Sequence, residues 1–557
     1  MPRSRPGSEL SLLAWLDDPS PRHGIRFCRS EGWDLWTYER LAELVRRTAG
    51  GLARAGVRQG GVVALLLPAG PEFVGGFFGA LLAGAVPTPI APPRRFEEPG
   101  DYRRQVLGIL REAAPEVLVT VAELAGETGR LAGAAGVDRA LTFEQVTRSA
   151  PAAVRPQARG RGELGLLQFT SGTTGRPRGV RVTLDALAAN VGAIRRWLRM
   201  TPEDASASWL PVHHDMGLVG CLLTPVVNGS DLWLMRPEDF VRRPLRYLRC
   251  FGAAGARLTA MPGFGLEHLA RRVHREDLDG LDFREWRAVV VGAERLQARA
   301  LRCFCELLAP RGFRPAALLP AYGLAEATVA VTGLPLDEEW RAVTVRPERL
   351  ARGAVAEPAP SGVQVVGCGS PLEGVRVSIQ DEAGRPLPDG HVGEIVVGGA
   401  SLAAGHAGDG SSSITRFRDG ELLSGDAGFW LDGQLFVLGR LGDSIKIRGL
   451  HLFAEDLESA LLDAGVPSRH LAVVLGVRDG VPTALALLDR PVEAWRRQAE
   501  ALLRRRVEGG EVVVANVPSG AIARTSSGKP RRRALWQEFC RGRLGRTPAS
   551  GREVIQC

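Results

Sequence analysis

Between Leu164 and Val180 the sequence reads LGLLQFTSGTTGRPRGV, an apolar run that ends in a loop of hydroxyl residues and glycines: Thr170, Ser171, Gly172, Thr173, Thr174 and Gly175. Glycine lets backbone N–H groups approach a ligand closely, and the hydroxyls add donors beside them, so such a loop suits phosphate oxygens. No Gly-Lys-Ser/Thr triplet follows, which excludes a Walker-type loop. Taken alone, the loop is equally an ordinary surface turn. A second signal is a residue bias. Of 71 basic residues only Lys446 and Lys529 are lysine. A lysine that persists against such a bias marks a place where a compact ammonium on a flexible stem can go and a planar guanidinium cannot. Chance survival is the competing explanation until the neighbouring residues are considered.

The elements that must position these residues alternate. Short apolar runs and helical patterns succeed one another from about residue 36 to residue 335, as in GVVALLL before PEFVGGFFGALLAG, which implies an α/β body. The apolar stretch Val62 to Ile90 is broken by Pro68, Glu72 and Pro87, so it reads as a buried strand and a core helix, not a membrane span. From 337 to about 367 the pattern dissolves into polar, Pro- and Gly-containing sequence, read as an insertion outside the core. VRVSIQD, GEIVVGG and QLFVLGR then read as strands of a small β region. A boundary near 440–443 divides a body, 1–441, from a C-terminal α+β module, 443–541, and 542–557 reads as a flexible tail.

At 557 residues, 45% hydrophobic and 24% charged, the chain is long enough for several layers of core. Its N-terminal apolar run is interrupted by Asp17 and Asp18 before reaching signal-peptide length, which places the protein in the cytoplasm. The formal charge of +9 comes with no nucleic-acid motif, so it does not argue for DNA or RNA. The eight cysteines have neither metal-ligand nor secreted-framework spacing and read as reduced thiols.

The loop at 170–175, together with AYGLAEAT, VVVGAERL, LLSGDAGFW, VLGRLGDSIKIRG and ARTSSGKPRRRAL, resembles in order and spacing the signatures of the adenylate-forming (ANL) superfamily. That resemblance covers essentially the whole chain. It implies a large body of two α/β layers plus a small β region, with a mobile C-terminal domain. It implies that the loop binds phosphate, that Tyr322 and Gly323 with Gly292, Ala293 and Glu294 bound the adenine, and that Glu326 holds Mg²⁺. It further assigns Asp426 and Arg440 to the ribose of ATP and Lys529 to the adenylation step. Gly442 would be the pivot, and rotation there would present a thiol-transfer face at Lys446 and Gly449. The chain departs from the family at Arg178 (usually lysine), Ala325 (often threonine) and Gly442 (usually Asp or Lys). MPGFGLEH stands where relatives commonly show a Pro-Asn pair, and His406 stands where an aromatic is usual. Arg531, Arg532 and Arg533 read as a solvated basic face, with a docking surface for an acidic carrier as the alternative.

Within the superfamily the chain is most similar to fatty acyl-AMP ligases. SWLPVHHDMGLVG, with His214 and Asp215, resembles their motif beside the acyl pocket, and the 337–367 segment sits where they carry an insertion. The implied substrate is a carboxylic, by family default fatty, acid, and the implied acceptor is the phosphopantetheine thiol of an acyl carrier protein. A coenzyme A synthetase is the rival enzyme. An inactive nucleotide-binding scaffold is the rival of another class.

Overall fold

The computed structural model describes residues 10–93, 99–148, 162–170, 177–408, 414–447, 450–507, 509–524 and 528–544. Six parallel strands form the centre of a nine-stranded sheet, in the spatial order Leu318–Gly323, Ala288–Val291, Leu258–Met261, Ser206–Ser208, Leu232–Leu234 and Gly24–Cys28. Their residues are almost continuously apolar because helices cover both faces. A second parallel sheet is built from Val86–Pro89, Val62–Leu66, Val117–Thr120 and Ala140–Thr142. The expectation for Val62 to Ile90 holds: a strand, the buried helix Pro71–Leu82, then a strand. No helix among the described residues is long and apolar enough to cross a membrane.

A five-stranded antiparallel region follows, made of Val375–Gln380, Gly393–Gly399, Arg416–Arg418, Glu421–Leu431 and Gln434–Arg440. The 337–367 segment differs from the expectation. Its strands Ala342–Val345 and Val363–Val366 pair, and Val345, Leu350, Val363 and Val365 are buried against Phe429, Phe436 and Phe453. The polar residues that made it look peripheral lie between buried valines spaced two apart, the alternation of a half-buried strand.

The C-terminal module sets helices Ala454–Asp463, Glu493–Arg506 and Arg532–Cys540 on the sheet Leu471–Arg478, Val481–Leu488 and Glu511–Asn516. Its packing runs to Leu544, which is buried, so 542–544 are not tail; 545–557 lie outside the described residues. The basic-face expectation fails for two of its three arginines. Arg531 donates to Gln105 Oε1 of the body at 3.1 Å. Arg532, 12% exposed, donates to Glu455, Glu458, Asp443 and the Val473 carbonyl. Only Arg533 remains exposed.

Three carboxylates share the Arg532 guanidinium, so the arginine is held charged while the acids remain in excess. Burial, offset only in part by Arg532, pushes the Glu455 carboxyl up to about 7, and Asp443 and Glu458 push the same way. The folded state therefore holds a proton that the unfolded chain releases near pH 4.5. That contribution to stability is full below the unfolded value and is lost as pH rises toward 7. The urea midpoint of Glu455→Gln should accordingly gain on that of the wild type between pH 5 and pH 8. A difference that stays constant with pH would contradict this reading.

Candidate active site

Parallel α/β sheets place functional loops at the carboxyl ends of their strands. Here four such loops converge. After Ser206–Ser208 come His213, His214 and Asp215; after Leu258–Met261 come Gly263 and Phe264; after Ala288–Val291 come Gly292, Ala293 and Glu294; and Leu318–Gly323 leads to Glu326. The chain is tightly constrained in these loops. A Cβ on Gly323 would lie 1.7 Å from the Val329 carbonyl oxygen, so no side chain fits there. Ala293 and Thr328 both adopt left-handed backbone, φ 69°, which is unusual for residues with a Cβ and is concentrated at working sites.

Asp426 and Arg440 face each other across the antiparallel pair Glu421–Leu431 and Gln434–Arg440. Arg440 Nε stands 2.8 Å from Asp426 Oδ1, and the Tyr322 hydroxyl donates to Asp426 Oδ2 at 2.6 Å. Asp426 is only 6% exposed. Each of its oxygens keeps a lone pair, so the carboxylate can still accept from two further hydroxyls. Its charge in turn holds the Arg440 guanidinium well above its ordinary value. Burial, then the Asp426 charge, raises the Tyr322 phenol far above its own.

Glu326, 8% exposed, lies in a tight turn, and His406 Nε2 is 3.3 Å from its Oε1. Burial pushes this carboxyl up, but the His406 hydrogen bond and the Arg440 charge outweigh it, so it sits below its ordinary value and is ionised. Glu294 accepts from the Phe264 N–H at 3.0 Å, and Asp215 accepts from Met216 N at 2.8 Å. Burial raises both of these carboxyls.

Lys529 arrives from the other body. Its side chain is exposed to solvent at the mouth of the cleft, and the protein around it lowers its ammonium; Glu294, Asp215 and Asp426 counteract, and Arg440 adds to the lowering. The loop that carries it passes Phe264: a Cβ on Gly528 would sit 3.7 Å from that ring. Beside the Arg531–Gln105 hydrogen bond, three further side-chain contacts among the described residues hold the bodies in this arrangement. Ser468 Oγ donates to Glu267 Oε2 at 3.0 Å, Ser459 Oγ donates to Gln297 Oε1 at 2.8 Å, and Arg295 pairs with Asp456. None of these three was legible in the sequence, since each joins residues more than 150 positions apart.

Thr170 ends the strand Leu164–Thr170 opposite Arg178 of the returning strand, so the expected phosphate loop begins at a strand end. Ser171, Gly172, Thr173, Thr174 and Gly175 lie outside the described residues, as do Gly449 and the side chain of Lys446. Gly442 lies in the short turn Leu441–Asp443 without left-handed backbone. A Cβ there would meet only the Ile414 side chain, its Cδ1 at 2.1 Å, the mobile end of a side chain that can turn away. His214 begins the turn into the helical segment Met216–Leu223, its carbonyl accepting from Leu218 N at 2.7 Å.

Beneath Asp215 that segment, the helix Leu184–Trp197 and the sheet line a small apolar cavity. The arrangement thus offers a polar cleft with four carboxylates and two cations, an apolar cavity leading away from it, and a lysine contributed across a domain boundary. Such a site can hold a nucleotide and an amphipathic acid together.

Comparisons with known proteins agree. Residues 20–406 match the family described as AMP-binding enzyme. A putative acyl-CoA synthetase of Caulobacter vibrioides is 31% identical over 541 residues, 93% of this chain and 92% of its own. The medium-chain-fatty-acid–[acyl-carrier-protein] ligase JamA of Moorena producens is 29% identical over 86% of each chain. A solved structure from work on fatty acyl-adenylate ligases of E. coli and L. pneumophila superposes with a TM-score of 0.86 at 30% identity, covering 95% of this chain and 97% of that one.

Proposed function

The chain belongs to the AMP-binding enzymes, ATP-dependent ligases that form acyl-adenylates, and on that premise we propose that it is a fatty acyl-AMP ligase serving an acyl carrier protein in the cytoplasm. The observation that carries the reading is Lys529, placed by the C-terminal module among Glu294, Asp215 and Asp426. In the first step a carboxylate oxygen attacks the α-phosphorus of ATP, the bond to the β-phosphate breaks, and pyrophosphate leaves. Negative charge grows on the α-phosphoryl group and on the leaving group, and the Lys529 ammonium stabilises both. Asp426 and Arg440 grip the ribose, Tyr322 stacks on the adenine between Gly323 and the Gly292–Glu294 wall, and the 170–175 loop holds the phosphates.

Glu326 fits Mg²⁺. It is an ionised hard oxygen donor, and among the described residues no group of three or more His, Cys, Asp or Glu side chains is placed to hold a metal. Mg²⁺ needs no such cage, since it commonly takes one carboxylate and fills its shell with phosphate oxygens and water. When bound it would neutralise phosphate charge. In the second step the small domain turns about Gly442, withdrawing Lys529 and presenting the Lys446–Gly449 face. A phosphopantetheine sulfur then attacks the acyl carbon, and AMP leaves with the bonding pair.

The carrier reading is supported by the similarity to a carrier-protein ligase and by the packed 337–367 ribbon. The Caulobacter relative favours coenzyme A as the alternative acceptor. Mass spectrometry of a phosphopantetheinylated carrier incubated with enzyme, Mg·ATP and fatty acids should show the acyl adduct. Acyl-coenzyme A as the sole thioester, when both thiols are supplied, would reverse the choice.

A further inference from the structure

The loop that carries Lys529 is closed at its base by backbone pairing. Arg524 and Pro530 form an antiparallel bridge, and the Arg531 N–H donates to the Ala523 carbonyl at 2.8 Å. Across that base, Nη1 of the half-buried Arg524 donates to the Gly528 carbonyl at 3.0 Å. Gly528 adopts left-handed backbone, φ 89°, which glycine takes without strain. Its carbonyl belongs to the planar peptide that joins Gly528 to Lys529, so the hydrogen bond fixes the unit from which the lysine side chain starts.

The other arm of the same guanidinium grips a different element. Arg524 Nη2 donates to the Ser468 carbonyl at 3.0 Å and to the Leu471 carbonyl at 2.9 Å, straddling the short helical turn Ser468–His470. Charge-assisted bonds of this kind are stronger than those between neutral groups. The turn is itself held in place: His470 Nδ1 lies 2.6 Å from Asp489 Oδ1, and its Nε2 accepts from Arg469 Nε at 2.6 Å. It is also where the small domain meets the body, since Ser468 Oγ donates to Glu267 Oε2. One planar fork thus joins the docking turn to the lysine loop.

We propose that Arg524 is a positioning residue for the adenylation step: its fork sets how Lys529 enters the cleft by tying the lysine loop to the turn that docks on Glu267. The inference rests on the fatty acyl-AMP ligase reading and adds a residue to its first half-reaction. Arg524 acts through Lys529. A lysine stem is flexible, so its ammonium is placed only as well as the backbone beneath it is fixed. A compact ammonium at position 524 would have to serve both elements from one point, whereas the two arms of a guanidinium reach them separately. The residue type gives no hint of this role, because arginine is the chain's ordinary cation.

The test measures both half-reactions on the same preparation, so that the folded fraction of each variant cancels in their ratio. Arg524→Gln should lower kcat for acid-dependent pyrophosphate exchange by about tenfold to a hundredfold, the cost of a displacement of about 1 Å, and leave KM for ATP within about twofold. Transfer from supplied acyl-adenylate to a thiol should persist, because Lys529 is withdrawn in that step. Arg524→Lys, which keeps the charge, should recover only part of the exchange. The decisive comparison is made in the Lys529→Ala background. There Arg524→Gln should change the residual exchange by less than about twofold, since no ammonium remains to be positioned. An equal fold-loss with and without Lys529, or a matching loss of both half-reactions, would overturn the positioning role while the ligase reading stands. Exchange that survives Lys529→Ala undiminished would take down both.

Discussion

Lys529→Ala should slow pyrophosphate release by about a hundredfold to a thousandfold, the scale of removing one donor aimed at developing charge. Transfer of the acyl group from supplied acyl-adenylate to a thiol should survive, because in that step the lysine is withdrawn. Lys529→Arg is the more telling variant. It keeps the charge, and the chain uses arginine at 69 of its 71 basic positions. The cleft between Glu294, Asp215 and Asp426 nonetheless favours a small ammonium on a flexible stem over a planar fork. A loss of at least about tenfold is expected for it. Equal loss of both half-reactions in Lys529→Ala would contradict the assigned role.

The second large effect concerns Asp426. Its carboxylate is buried between the Arg440 guanidinium and the Tyr322 hydroxyl, and by proposal it also accepts from the ribose. Asp426→Asn leaves the Arg440 guanidinium, 32% exposed, beside a neutral amide. Breaking a fully buried pair from one side costs roughly 3–5 kcal/mol, and solvent at Arg440 reduces that to about 1–2 kcal/mol. ATP affinity should fall by at least about tenfold, the scale of one charge-assisted hydrogen bond. Arg440→Met should destabilise comparably. The double variant removes both charges and should recover part of the loss, leaving a coupling term of more than about 1 kcal/mol. Urea titrations with calorimetric ATP binding read all three proteins. Strictly additive, sub-kilocalorie changes would show that the pair is incidental.

Much of this site could be read from the sequence because its parts are local. Asp426 and Arg440 sit on neighbouring strands joined by a short turn, and each loop of the cleft directly follows a strand of the parallel sheet. What escaped depends on long-range packing. The insertion looked peripheral because polar residues separate its valines, and only Phe429, Phe436 and Phe453, far along the chain, reveal it as core. Arg532 looked like surface beside two other arginines until Glu455, Glu458 and Asp443 were brought around it. His406 stood out as a departure, but its hydrogen bond to Glu326 spans 80 residues and leaves no periodic trace. Glycine is ambiguous in the same way. Gly442 suggested freedom at a pivot, yet here it lies in a short turn with only the movable Ile414 side chain against it.

The central claim is that this protein condenses a carboxylic acid with ATP, using a lysine delivered by its small domain. Exchange of labelled pyrophosphate into ATP measures the reversible first step without any thiol. The account predicts exchange that requires a fatty acid and Mg²⁺ and collapses in Lys529→Ala. A folded protein that binds ATP but supports no acid-dependent exchange, or one whose exchange is indifferent to Lys529, would contradict it.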